Sequence, residues 1–293
     1  MTQTHSFEGD VLSSTLCELG EGPSFEPETN TLWWFDILGK ALHELRLDSL
    51  QETVHPLPFM GSVVARIDAE RQLIATEKGL FIRNRADGSL SLHCELEPGK
   101  NTNRSNDGRA HPSGSLWIGT MGKSAQTGAG AIYHVAQGTV TKLFGDISIP
   151  NSICFSPDGA IGYFVDTKVN KLMSVAVDPA TGLPTGQPSV FIDSSGEQGG
   201  IDGSVCDGDG HIWNARWGVG MLDHYDAEGT LVARYALPAQ RTTCPAFIGD
   251  KRFAVTSSWE GLDEAGRAAD PLAGALFEVQ VPVKARVEAS YRV

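Results

Sequence analysis

Six positions in this 293-residue chain, each nine or ten residues ahead of a β-rich run, hold Glu21, Ser62, Asn106, Asn151, Asp202 and either Thr242 or Thr243. Two of them are carboxylic acids and two are primary amides. Carboxylates gathered in one place repel each other unless a cation lies between them. An all-oxygen donor set carrying two negative charges suits a hard divalent ion such as Ca²⁺, Mg²⁺ or Mn²⁺. Zinc and iron(II) stay open, because oxygen donors do not exclude them. With three protein ligands, water and a substrate could complete the coordination. Arg104 and Asp107 flank Asn106 in the run NRSNDGR, and a guanidinium is a natural partner for carbonyl or hydroxyl oxygens. Taken singly, each of these groups reads more readily as a strand cap; their shared register is what argues for a site. Covalent catalysis has little support: Ser62 has no evident histidine partner, and there is no G-x-S-x-G elbow. None of the eight histidines pairs at metal-ligand spacing, and His111 and His211 fall in turns where solvated rings are expected.

What would bring such distant residues together is a repeat. TLWWFD from Thr31, QLIATE from Gln72, SLWIGT from Ser115, IGYFVD from Ile161, HIWNAR from His211 and RFAVTS from Arg252 recur at intervals of 41 to 50 residues. Each run is followed by a second apolar strand and preceded by a short strand ending in turn chemistry, such as SPDG or DGDG. Three or four strands per unit, six times over, is the signature of a six-bladed all-β propeller with four-stranded antiparallel blades around a central channel. The preceding strand is then the innermost, and its start lies at a channel mouth. A pair of β-sandwiches is the competing architecture. No linker or composition shift divides residues 1–293, so one domain is expected. The strand-like stretches from Phe7 to Leu16 and in RVEASYRV at the C-terminus are candidates for closing the ring. Trp33, Trp34, Trp117 and Trp213 read as inter-blade packing, whereas Trp217 and Trp259 could reach a mouth.

A net charge of −13 argues against nucleic acid and anionic membrane as partners. Five cysteines with no C-x-x-C pattern argue against a disulfide framework or a thiolate zinc site, and Cys154 and Cys206 read as core residues. The N-terminus lacks an apolar leader segment and no run approaches a membrane span, so a cytoplasmic location is expected.

The segments LGEGP (19–23), NRSNDG (103–108), PSGSLWIGTM (112–121), PNSICFSPDG (150–159) and IDGSVCDGDGHIW (201–213) resemble the senescence marker protein/gluconolactonase/luciferin-regenerating (regucalcin-like) family over nearly the whole chain. The likeness is greatest to its bacterial xylono- and arabinonolactonases. The resemblance implies one divalent metal on Glu21, Asn151 and Asp202, substrate contacts from Arg104 and Asn106, and Asp202 as general base. The implied reaction opens a small sugar-acid lactone (xylono-, arabinono-, galactono- or gluconolactone) to the free aldonic acid, in a monomer. Two departures bear on the substrate. His111 precedes Pro112 where regucalcin-like members carry an aspartate, and Lys123 lies in GKSAQTG where some members place acidic residues that touch substrate hydroxyls. The rival readings are a non-catalytic calcium-binding propeller and an arylesterase or phosphotriesterase propeller, whose sites usually add histidines.

Overall fold

In a computed structural model that describes residues 2–293, the six β-rich runs become the second strands of six sheets, each with an antiparallel four-stranded core. Blade 1 comprises Gly20–Glu26, Thr31–Asp36, Ala41–Arg46 and Gln51–Pro56. Blade 2 comprises Gly61–Arg66, Arg71–Thr76, Gly79–Asn84 and Leu90–Cys94. Blade 3 comprises Asn103–Ala110, Leu116–Gly122, Gly130–Ala136 and Thr139–Ile147. Blade 4 comprises Pro150–Phe155, Ile161–Asp166, Lys171–Ala176 and Ser189–Asp193. Blade 5 comprises Gly200–Cys206, Ile212–Trp217, Met221–Tyr225 and Leu231–Ala236, and departs from the expected four antiparallel strands because Gln3–His5 adds a fifth, parallel strand at its outer edge. Blade 6 comprises Thr242–Phe247, Arg252–Ser257, Leu276–Gln280 and, as its outermost strand, Val11–Ser13. Each inner strand packs against the inner strand of the next blade, and that of blade 6 returns to that of blade 1. The molecule is a six-bladed β-propeller.

Burial follows distance from the axis. In blade 4, Pro150–Phe155 is buried throughout and Ile161–Asp166 nearly so, while Ser189–Asp193 at the rim is largely exposed. Strands covered on both faces by neighbouring blades lose the two-residue alternation and read as continuous apolar runs, which is why those runs stand out in the sequence. Aromatic side chains fill the wedges between blades. Trp117 of blade 3 meets Phe155 of blade 4 edge-on, with centroids 5.1 Å apart, and Trp213 of blade 5 meets Phe253 of blade 6 at 5.2 Å. All five cysteines are unpaired, and Cys154 and Cys206 are buried.

Two expectations are corrected here. Val11–Ser13 does complete blade 6 by pairing with the Leu276–Gln280 strand, but the C-terminal RVEASYRV forms no strand. It runs across the channel mouth at the far ends of the inner strands. The Tyr291 amide donates to the Arg66 carbonyl at 2.8 Å, Arg286 Nη1 donates to the Phe155 carbonyl at 2.9 Å, and Glu288 pairs with Arg109. Nor is His111 solvated. It is fully buried, its ring edge-on to Phe155, with Nε2 donating to the Gly159 carbonyl at 2.9 Å. It therefore locks the blade 3 turn to that of blade 4. No helix of the described residues is long and apolar enough to cross a membrane.

Candidate active site at one channel mouth

Every inner strand breaks its pairing register near its start: between Glu21 and Ser24, Gly61 and Val63, Ser105 and Gly108, Asn151 and Cys154, Ile201 and Ser204, and Thr242 and Pro245. A bulge bends a strand and re-aims the side chains beside it. Two bulges use left-handed backbone. Gly22, at φ +57°, has the Ser62 carbonyl where a Cβ would lie, so only glycine fits there. Ser152 takes φ 57° without that freedom. Its hydroxyl bonds the Asp202 carbonyl and lies 2.9 Å from Ser204 Oγ, tying the inner strands of blades 4 and 5 together.

The bulges bring Glu21, Arg104, Asn106, Asn151 and Asp202 onto one cavity of about 390 Å³, within the range of small-molecule pockets. Leu19, Met121 and Ile149 supply its apolar wall, and Lys123, Thr167, Trp217 and Glu260 its more polar part. The other repeat positions do not line this cavity. Ser62 Oγ donates to Ser105 Oγ at 2.8 Å, Thr242 Oγ1 to the Arg216 carbonyl at 3.1 Å and Thr243 Oγ1 to the Gly20 carbonyl at 2.6 Å. Short hydroxyls there join neighbouring strands; the longer acids and amides project into the mouth. Thr167, Trp217 and Glu260 lie outside the repeat positions that sequence reasoning singled out. The sequence marks Trp217 as able to reach a mouth, and nothing in it marks the other two.

A directed hydrogen-bond chain orders the polar groups. Arg104 Nη1 donates to Asn106 Oδ1 at 2.6 Å, Asn106 Nδ2 donates to Asn151 Oδ1 at 2.8 Å, and Asn151 Nδ2 donates to Thr167 Oγ1 at 2.9 Å. The Arg104 Nε and Nη2 donors have no acceptor among the described residues. Glu21 Oε2 accepts the Gly22 amide at 2.9 Å. Burial, followed by the charge of Asp107, pushes the Glu21 carboxyl up to about 8, against the pull of the Gly22 amide, Arg104 and Arg109. Asp202 is displaced in the same direction by burial and then by Glu21, and its Oδ1 is buried without a hydrogen-bond partner. Two desolvated carboxylates that repel each other, an orphan carboxylate oxygen and an amide oxygen beside them make a donor set that fits one hard divalent cation.

Residues 19–258 match the SMP-30/Gluconolactonase/LRE-like region. The chain is 57% identical over 295 residues, covering all of both proteins, to a Rhizobium meliloti (strain 1021) protein whose name of sugar lactone lactonase is itself provisional. It is 33% identical to the L-arabinolactonase of Azospirillum brasilense, covering 96% of this chain and 94% of that one. Among solved structures, a calcium-binding protein, regucalcin, from Agrobacterium tumefaciens str. C58 is 60% identical, covers both chains completely and superposes with a TM-score of 0.99.

Proposed function

Since the chain belongs to the SMP-30/gluconolactonase/LRE-like family, we propose that the mouth cavity hydrolyses sugar-acid lactones with the help of one divalent cation. The observation that carries this reading is the buried Glu21–Asp202 pair, with the unpartnered Asp202 Oδ1, in the same cavity as the free donors of Arg104. The homologues named as lactonases support the reaction class.

Glu21, Asn151 and Asp202 would hold the ion. When bound, a divalent cation supplies Lewis acidity toward the lactone carbonyl oxygen. The Asp202 carboxylate, through the oxygen that does not face the ion, accepts a proton from the attacking water. The water oxygen bonds to the carbonyl carbon, the bond from that carbon to the ring oxygen breaks, and the proton held by Asp202 passes to the departing ring oxygen. Arg104 Nε and Nη2 donate to the oxygen on which negative charge develops. Asn106, bonded on both its oxygen and its nitrogen, fixes Arg104 relative to Asn151. A non-catalytic calcium-binding propeller is the second reading, favoured by the name of the 60%-identical structure.

Acid release from xylono-, arabinono-, galactono- and gluconolactone separates the two readings, with spontaneous opening subtracted. Rates that fall to background on chelation, return with a divalent ion and are lost in Asp202→Asn support the hydrolase. Background rates throughout, in protein that still binds calcium, leave the binding propeller. Phosphotriester turnover in the same assay would point instead to the arylesterase class.

A further inference from the structure

Blade 5 carries a second set of ligand-type side chains that the proposed reaction does not use. Asp207 lies in the turn after the Gly200–Cys206 strand, His211 ends that turn, and His224 sits on the Met221–Tyr225 strand. One carboxylate oxygen and two ring nitrogens, one from each residue, lie within 4.8 Å of one another. The turn follows the end of the inner strand, so the group is at the opposite end of the propeller from the lactone cavity. Sequence spacing concealed the pair: His211 and His224 are thirteen residues apart and meet only because neighbouring strands pair.

Contacts outside the set hold Asp207 and His224, and His224 in turn holds His211. His211 Nδ1 faces His224 Nε2 at 2.9 Å. The His224 ring stacks on Trp213 with centroids 3.9 Å apart and planes 6° from parallel. Asp207 Oδ1 accepts the amides of Asp209 at 2.9 Å and His211 at 3.0 Å, and its Oδ2 accepts Trp213 Nε1 at 2.9 Å. A carboxylate offers about four acceptor positions, so Oδ2 keeps one. Orientation of histidine and carboxylate ligands by neighbours of this kind is the outer support that metal centres use. His224 is buried, and burial followed by the neighbouring His211 holds its pKa down to about 4. At neutral pH its ring is therefore an uncharged donor. His211 is only half-buried and leaves the group open to solvent.

We propose that Asp207, His211 and His224 form a second metal site, selective for a borderline transition metal such as Zn²⁺, Ni²⁺ or Cu²⁺ over Ca²⁺ or Mg²⁺. Two imidazoles and one carboxylate are the ligand types such ions prefer, and water completes the coordination. On binding, the proton between the two rings moves to the other nitrogen of the ring that carries it, freeing both facing lone pairs. The same turn holds the C-terminal segment, through the Gly208 amide on the Lys284 carbonyl at 2.8 Å and Lys284 Nζ on Asp209 Oδ1 at 2.7 Å. A bound ion would therefore stiffen the anchor of the segment that crosses the far mouth.

Calorimetric titration of the chelator-stripped full chain with Zn²⁺, together with Cu²⁺ quenching of tryptophan fluorescence, tests the site. The expected result is one zinc equivalent that persists in Asp202→Asn and weakens at least tenfold in both His211→Gln and His224→Gln. Copper quenching attributable to Trp213, absent in Trp213→Phe, should disappear with the same histidine changes. Circular dichroism confirms that the variants fold, and the half-exposed His211 is the milder substitution. Zinc isotherms and quenching unchanged in both histidine variants would overturn the proposal, as would the loss of every zinc equivalent in Asp202→Asn.

Discussion

Chelated protein should carry a pH signature of the mouth carboxylates. The Glu21 carboxyl moves from 4.5 up to about 8, with Asp202 displaced in the same direction. A carboxyl whose folded pKa lies above its unfolded value binds more protons folded than unfolded between the two, so stability falls as pH rises through that window. The fold has the full benefit of a neutral Glu21 below 4.5 and loses it progressively toward 8. At 1.36 kcal/mol per pH unit, the interval from pH 5.5 to 8.0 costs about 3 kcal/mol through Glu21. For a chain of this length that is a fall in melting temperature of about 6 °C. The net charge of −13 adds an alkaline penalty of its own, so the measurement is a difference. Melting of EDTA-treated wild type and Glu21→Gln would be compared at both pH values. Wild type should lose about 6 °C more than the variant, and added divalent ion should restore wild type at pH 8.0 but not Glu21→Gln, because the ion favours the ionised carboxylates that protons otherwise occupy. Parallel pH slopes in the two chelated proteins would refute the argument that Glu21 is a desolvated, repelled acid.

Arg104→Lys replaces a planar fork with a point charge; kcat/KM for pentonolactones should fall about 10²-fold, the usual cost of one lost donor to a developing oxyanion, while calorimetry finds the divalent ion still bound. The Glu260 side chain lines the cavity and has no hydrogen-bond or ion-pair partner among the described residues. Glu260→Gln should therefore raise KM about tenfold for hydroxylated sugar lactones, the worth of one hydrogen bond to a charged group, and leave an unsubstituted lactone unaffected; equal changes on both would sink the idea that Glu260 reads hydroxyls. Glu288→Gln strips the partner from the Arg109 guanidinium at the far mouth and should cost about 2 kcal/mol in urea unfolding, a discounted value for a partly buried pair.

The propeller was legible because each blade announces itself twice, once by turn chemistry and once by a β-rich run that burial on both faces keeps apolar. Counting back from Thr31, Ser115, Ile161 and His211 then reaches Glu21, Asn106, Asn151 and Asp202. Register alone could not show that Ser62 and the threonines 242 and 243 serve the scaffold. That depends on reach: a hydroxyl one bond from Cβ finds a strand of the neighbouring blade before it finds the channel mouth. His111 misled for a related reason. A turn position predicts solvent, but its imidazole has both the Gly159 carbonyl and the Phe155 ring within reach, and those contacts compensate for burying it.

The C-terminal RVEASYRV has the composition of a strand, yet the one edge it could have joined in closing the ring is already taken, since Val11–Ser13 occupies the outer position of blade 6. Its backbone groups are satisfied by the ends of other segments instead, as where the Arg292 amide reaches the Gly114 carbonyl at 2.8 Å. This placement has a functional consequence. With one end of the channel crossed by the tail, a molecule bound at Glu21 and Asp202 comes from the opposite side, past Lys123, Trp217 and Glu260. Glu260 follows the Arg252–Ser257 strand in a loop rather than at a repeat position, and Lys123 directly follows the Leu116–Gly122 strand, where the sequence departs from some family members. The groups that would hold an ion are fixed by blade register; the groups that would sort one lactone from another are not, which is why likeness to the family carries the reaction class further than it carries the substrate.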